Sequence, residues 1–128
     1  MILAHDANGS GPPALLLHGL GLSREVYAPL LPALAARCRV IRLDLRGHGA
    51  SAASDLAEPY SHHEDVLATL DAMGLERVDV VGLSLGGSVA VDLALAHPSR
   101  VRRLALLAPA LSGWAWSAAW VAAFRTVR

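Results

Sequence analysis

The chain has 128 residues and a mass of 13.4 kDa, enough for one compact domain with a sizeable core and too few for two. Apolar residues make up 54% and charged ones 17%, and 11 arginines balance 11 Asp and Glu. This excludes a disordered tail and argues against the net basic face that a nucleic-acid binder needs to neutralise phosphates. The single Cys38 permits no internal disulfide and the cysteine sets of structural zinc sites are absent, so the expectation is a cytoplasmic protein with no metal and no cofactor.

Residues Met1 to Ser10 lack the basic flank and apolar stretch of a secretory signal and read as mature protein, with His5 ahead of the sheet proper. The apolar run Ala14 to Leu17 fits a buried strand, and His18-Gly19-Leu20-Gly21 follows it directly. Glycines at the carboxyl end of a strand let a loop turn its N–H groups toward a crevice, which makes the N–H of Leu20 a candidate oxyanion donor. A first helix is expected after Ser23 as N-cap, with Val26, Leu30 and Leu34 recurring every four residues beside Tyr27 and Leu31.

A second buried strand spans Val40 to Leu43 and leads into Asp44-Leu45-Arg46-Gly47-His48-Gly49. The glycines mark a tight loop, so Asp44 and His48 are read as bonding local backbone rather than as catalytic groups. Ala50 to Ala57 has no periodicity and reads as a surface excursion. Ser61 and Glu64 have the spacing of a capping box, which places His62 and His63 in solvent at a helix start. Val66, Leu67, Leu70 and Met73 then line one face before Gly74.

The strand expected over Val78 to Val81 runs straight into Gly82-Leu83-Ser84-Leu85-Gly86, and a helix from Ser84 towards His97 follows, with Val89 and Leu93 on its packed face and Pro98 as its stop. The pentapeptide turns up by chance in roughly one such chain in fifteen, so its weight lies in this strand-to-helix context. There the serine occupies a strained position at the tip of the turn, and Gly82, Gly86 and Gly87 let strand and helix approach. The N–H of Leu85 is then the second candidate oxyanion donor.

Leu104 to Phe124 carries no charge and is long enough to span a membrane, but Pro109 and Ser112-Gly113 interrupt it and its tryptophans fall in the middle. It is read instead as a buried strand over Leu104 to Leu107, a loop, and a helix with Trp116, Trp120 and Phe124 on one face. Trp116 and Trp120 are weak candidates for a substrate surface. Strands alternating with helices imply crossovers, hence an α/β fold with a mostly parallel sheet and helices on both faces.

The order of these motifs resembles the amino-terminal half of the α/β-hydrolase superfamily, especially its bacterial esterase and lactonase branch, up to Ala110. The resemblance implies a core over residues 1–110, the start of a lid over 111–128, and a fold that stops before its last strands. It implies Ser84 as nucleophile, with Leu20 and Leu85 N–H groups as the oxyanion hole in the loop and elbow of His18, Gly19, Gly21, Gly82, Gly86 and Gly87. The loop departs from the His-Gly-Gly-Gly version of some lipases. Serine at the elbow disfavours the dehalogenase and epoxide hydrolase branches, which use aspartate. In the family an acid and a histidine follow the serine, whereas here His97, at the far end of the elbow helix, is the last histidine.

The expected function is therefore hydrolysis of an ester, lactone or thioester through an acyl-enzyme, with base and acid supplied by a missing segment or a complementing chain. The chain alone is expected to be nearly inert and to self-associate through an unpaired sheet edge. Two other readings compete, a non-catalytic binding module of hydrolase ancestry and a membrane-associated protein.

Overall fold

The computed structural model describes residues 1–51 and 59–111. Five described strands form one sheet in the order β1-β3-β2-β4-β5, with β1 His5–Asn8, β2 Pro13–Leu17, β3 Arg39–Leu43, β4 Val78–Leu83 and β5 Val101–Leu107. All neighbours are parallel except β1, which pairs antiparallel with β3 from His5 opposite Leu43 to Asn8 opposite Val40. His5 thus lies within the sheet, against the expectation. A four-residue strand whose exposed and half-buried residues alternate carries too few apolar groups to stand out in sequence.

The three crossovers contain helices α1 Leu31–Ala35, α2 His62–Ala72 and α3 Leu85–Ala96. Alternation along the strands divides the core in two. Leu15, Leu17, Ile41, Leu43, Val78 and Val80 pack with Val66 and Leu70 of α2 and Val89 and Leu93 of α3. Leu16 and Val40 point to the other face and meet Tyr27, Leu31 and Leu34. Helices therefore cover both faces, as the α/β pattern requires.

The first expected helix is mostly something else. Arg24–Leu30 is a 3-10 helix, and only Leu31–Ala35 is α-helical. Pro29 and Pro32 have no N–H, so the i to i+4 ladder cannot run through this stretch. The tighter winding brings Tyr27 inward, while Val26 and Leu30 are 39% and 53% exposed instead of lining the packed face. Ser23 caps the segment as expected, accepting from the N–H of Glu25.

In α2 the bounds agree with the sequence reading but the capping box does not form. Ser61 Oγ bonds the His63 ring at 2.8 Å, and Glu64 turns to His97 at 2.9 Å. Side-chain partners nearby thus replace the reciprocal backbone bonds. His62 and His63 are half-buried rather than solvated, His62 lying edge-on to Tyr60 with ring centres 5.2 Å apart.

The last strand also differs from its expected burial. β5 starts three residues early, at Val101, and Leu104, Leu106 and Leu107 are 38%, 36% and 48% exposed. It forms one edge of the described sheet, paired only with β4. Its start as a strand breaks up the apolar segment Leu104 to Phe124, and no described helix is long and apolar enough to cross a membrane. The lid segment, with Trp114, Trp116, Trp120 and Phe124, and most of the Ala50 to Ala57 loop lie outside the described residues.

Candidate functional site

From β2 the chain crosses to β3 on one side, and from β4 it crosses to β5 on the other. The strand order therefore reverses between β2 and β4, which are hydrogen-bonded neighbours, and the carboxyl ends of such a pair are where ligands bind in open α/β sheets. His18-Gly19-Leu20-Gly21 follows β2 there and Ser84 follows β4, so the topology brings the two expected motifs to one place.

Ser84 has φ 50° and ψ −111°, a left-handed region that side chains rarely adopt. The conformation is held from three directions. The Ser84 N–H donates to the Leu107 carbonyl at 2.9 Å, and its own carbonyl accepts from Ser88 N at 3.1 Å and Ala110 N at 3.3 Å. Strain of this kind persists only where the surroundings over-determine it. Ser84 is half-buried at the start of α3, where the unpaired N–H groups and positive end of the helix gather.

The glycines act by what they lack. A Cβ on Gly86 would overlap the carbonyl oxygen of Leu17, one on Gly82 would overlap the carbonyl of Gly86, and one on Gly87 would stand 2.8 Å from Pro109 Cβ. Gly19 lies against the elbow, because a Cβ there would sit 3.5 Å from Ser84 Cβ. Gly21 has φ 73°, which lets the chain turn back toward Leu22, and the Leu22 N–H returns to the Gly19 carbonyl at 3.2 Å. Among the described residues no partner engages the N–H of Leu20 or of Leu85.

His18 is fully buried, and both of its ring nitrogens are in use. The Leu45 N–H donates to Nε2 at 3.0 Å, and the Gly19 carbonyl lies 2.8 Å from Nδ1. An amide can only donate and a carbonyl can only accept, so the ring is the neutral Nδ1–H tautomer. Burial pushes its pKa below the usual histidine range, against the raising effect of the Gly19 carbonyl. His18 therefore ties the loop after β2 to the loop after β3 and has no free lone pair for a proton.

His48 bonds local backbone as read, whereas Asp44 also reaches Arg24, 20 residues away. Asp44 accepts from the backbone N–H of Arg24 at 2.7 Å and of Ala50 at 2.9 Å, and pairs with the Arg24 guanidinium at 2.7 Å. His48 Nδ1 lies 3.0 Å from the Arg46 carbonyl, its ring 5.1 Å from that of His18. His97 closes the far end of the twelve-residue α3, about 18 Å from its start at 1.5 Å per residue. Neither His18, with both ring nitrogens engaged, nor His97, at the far end of α3, is placed to serve Ser84 as a base.

Sequence reasoning missed two supports. Tyr27, read only as part of a helix face, is buried and donates its hydroxyl to the Leu17 carbonyl at 2.9 Å, one residue before the His-Gly loop. Burial pushes this phenol up to about 12, so it remains a donor. The other is Leu107 to Ala110, which clamps Ser84 from the opposite side, with Ala108 at φ 45° and Ser88 Oγ donating to the Ala110 carbonyl. A buried phenol that needs a partner was a legible signal for the first. The second depends on β5 lying beside β4 and had none.

Three buried groups, His18, Asp44 and Asp65, make stability depend on pH. Burial would raise the Asp44 and Asp65 carboxyls, but the Arg24 and Ala50 amides and the Arg24 guanidinium hold Asp44 below the usual range. Arg46 and the amino terminus do the same for Asp65. His18 is likewise lowered, so for all three groups the unfolded chain binds protons that the fold refuses. Their stabilising contribution is present above the unfolded pKa values and lost as pH falls, first below 6.5 for His18 and then below 3.8 for the two carboxyls. Urea denaturation from about pH 7 to about pH 3 is expected to show a falling midpoint, and a constant midpoint would contradict this assignment.

A family model described as alpha/beta hydrolase fold matches residues 12–128. The pimeloyl-[acyl-carrier protein] methyl ester esterase of Aeromonas hydrophila is 43% identical over 111 residues, covering 84% of this chain and 42% of that protein. Among solved structures, a hydrolase from Pseudomonas aeruginosa PA01 superposes with TM-score 0.81 at 39% identity, over 98% of this chain and 48% of that one. Est816, described as an N-acyl homoserine lactone degrading enzyme, superposes with TM-score 0.77 at 35% identity, over 84% of this chain and 42% of its own. The chain thus spans less than half the length of these relatives.

Proposed function

Because the chain belongs to the α/β-hydrolase fold family, we propose that it carries the nucleophilic half of a serine hydrolase acting on carboxylic esters or lactones, thioesters included. The observation that carries the reading is Ser84 at φ 50°, clamped between β4 and α3 and facing the loop after β2. In this reading Ser84 Oγ attacks the carbonyl carbon. The carbonyl oxygen becomes an oxyanion held by the N–H groups of Leu20 and Leu85, the alcohol leaves with a proton, and water then releases the acid from the acyl-enzyme. In this reading the proton passes through a histidine and an acid that neither His18, which has no free nitrogen, nor His97, at the wrong end of α3, supplies.

Relatives named as an esterase and a lactone-degrading enzyme support the bond type. The exposed leucines of β5 support a second element of the proposal, that this edge meets a complementing segment or a second copy. They equally favour the second reading, a binding module that has kept the fold without the reaction.

Fluorophosphonate labelling of the chain completed by the carboxyl-terminal remainder of the Aeromonas hydrophila esterase separates the two, since the label reports a serine activated by a histidine. The expected result is one adduct per chain on the peptide containing Ser84, found by mass spectrometry, and none in Ser84→Ala. An unlabelled Ser84 in that chimera, shown by circular dichroism to be folded, would overturn the hydrolase reading and leave the binding module.

A further inference from the structure

We propose that His63, Glu64 and His97 form a binding site for a divalent transition cation of the zinc type, at the end of α3 remote from Ser84. Glu64 Oε1 lies 3.2 Å from His63 Nε2 and 2.9 Å from His97 Nε2, and the three ligand atoms all lie within 4.8 Å of one another. In a tetrahedral site with bonds of 2.0–2.1 Å, neighbouring ligand atoms are about 3.3 Å apart. Two edges of the tetrahedron are therefore already close to length. The third closes by turning two partly exposed rings whose centres are 6.2 Å apart.

The chemistry of the donors selects the ion. Two imidazole nitrogens and one carboxylate oxygen suit zinc and its neighbours, whereas calcium and magnesium take oxygen ligands almost alone. Ser61 Oγ sits 2.8 Å from His63 Nδ1, and a hydroxyl can accept from Nδ1–H as readily as donate to it. It can therefore hold the ring with the Nε2 lone pair outward, as partners of metal-binding histidines do. The last carbonyls of α3 turn the negative end of that helix toward His97, and Glu64 offsets the positive start of α2. Residues 63 and 97 are far apart in sequence, so no motif spacing announced the site. It becomes visible only where α2 and α3 pack on one face of the sheet.

An ion here would join the first turn of α2 to the last turn of α3 and stabilise the fold by linkage, without touching the reacting serine. The test is calorimetric titration of the chain with Zn2+, together with Co2+ titration followed by visible absorption. The expected result is one ion per chain, a Co2+ band of a low-coordinate site, and binding weaker by about tenfold or more in His97→Ala and in His63→Ala. Zn2+ should raise the melting temperature of the parent chain and leave that of either variant unmoved. Histidine ring resonances of the parent chain report independently of any variant, and His63 and His97 should be the rings that Zn2+ shifts. Absence of binding at about a hundred micromolar, or resonance shifts confined to other histidines, would overturn the proposal, as would undiminished affinity in both variants.

Discussion

Ser84→Ala is expected to lower ester turnover by on the order of 10⁶-fold, or about 8 kcal/mol of barrier, wherever a histidine and an acid complete the site. The group removed is the only one proposed to form a bond with substrate, and the oxyanion donors alone recover little of its effect. The unaided chain starts near that floor, because His18 spends both ring nitrogens on backbone and His97 lies at the far end of α3. Its hydrolysis of nitrophenyl esters is therefore expected to match buffer. A chimera in which the carboxyl-terminal remainder of the Aeromonas hydrophila esterase follows Arg128 should regain activity, and Ser84→Ala should remove it. If that chimera kept its rate without Ser84, or lost it with His18→Asn while remaining labelled at Ser84, the assignment of roles would be wrong.

Gly86→Ala should damage the fold severely. Its Cβ would overlap the Leu17 carbonyl oxygen and stand 2.7 Å from that of His18, both backbone atoms of β2 and its loop. No side chain can rotate away, so α3 must shift off the sheet or the loop after β2 must open. The expected cost is about 3 kcal/mol, a large part of the stability of a domain this size. Gly74→Ala is the comparison: Gly74 has φ 67° but nothing within 4 Å of its missing Cβ, so only backbone strain is paid, about 1 kcal/mol. Urea denaturation of both variants decides the matter, and equal losses would show that the close approach of α3 to β2 is not what constrains residue 86.

Readings that rested on strong local patterns agree with the structure: three of the four apolar runs are buried or half-buried strands, and α3 follows the elbow at once. Where the pattern was short or ambiguous, partners elsewhere in the chain decided. The Ser61 and Glu64 spacing matched a capping box, yet both side chains found histidines instead, one of them 33 residues away. β1 exists because β3 offers it an edge, its own four residues being nearly mute. At the site, glycine and serine spacing revealed the elbow, but spacing could not show that Tyr27 and Ala110 brace it from two sides.

By itself the sequence determined the alternation of strands and helices, the strained serine turn and the neutral surface balance, since each depends on neighbouring residues and their chemistry. Only the tertiary structure decided that the loops after β2 and β4 lie side by side, that His18 spends both nitrogens on backbone, and that His97 meets Glu64. Each of these depends on which strands lie side by side, and long-range packing is set by the whole core rather than by any segment of it.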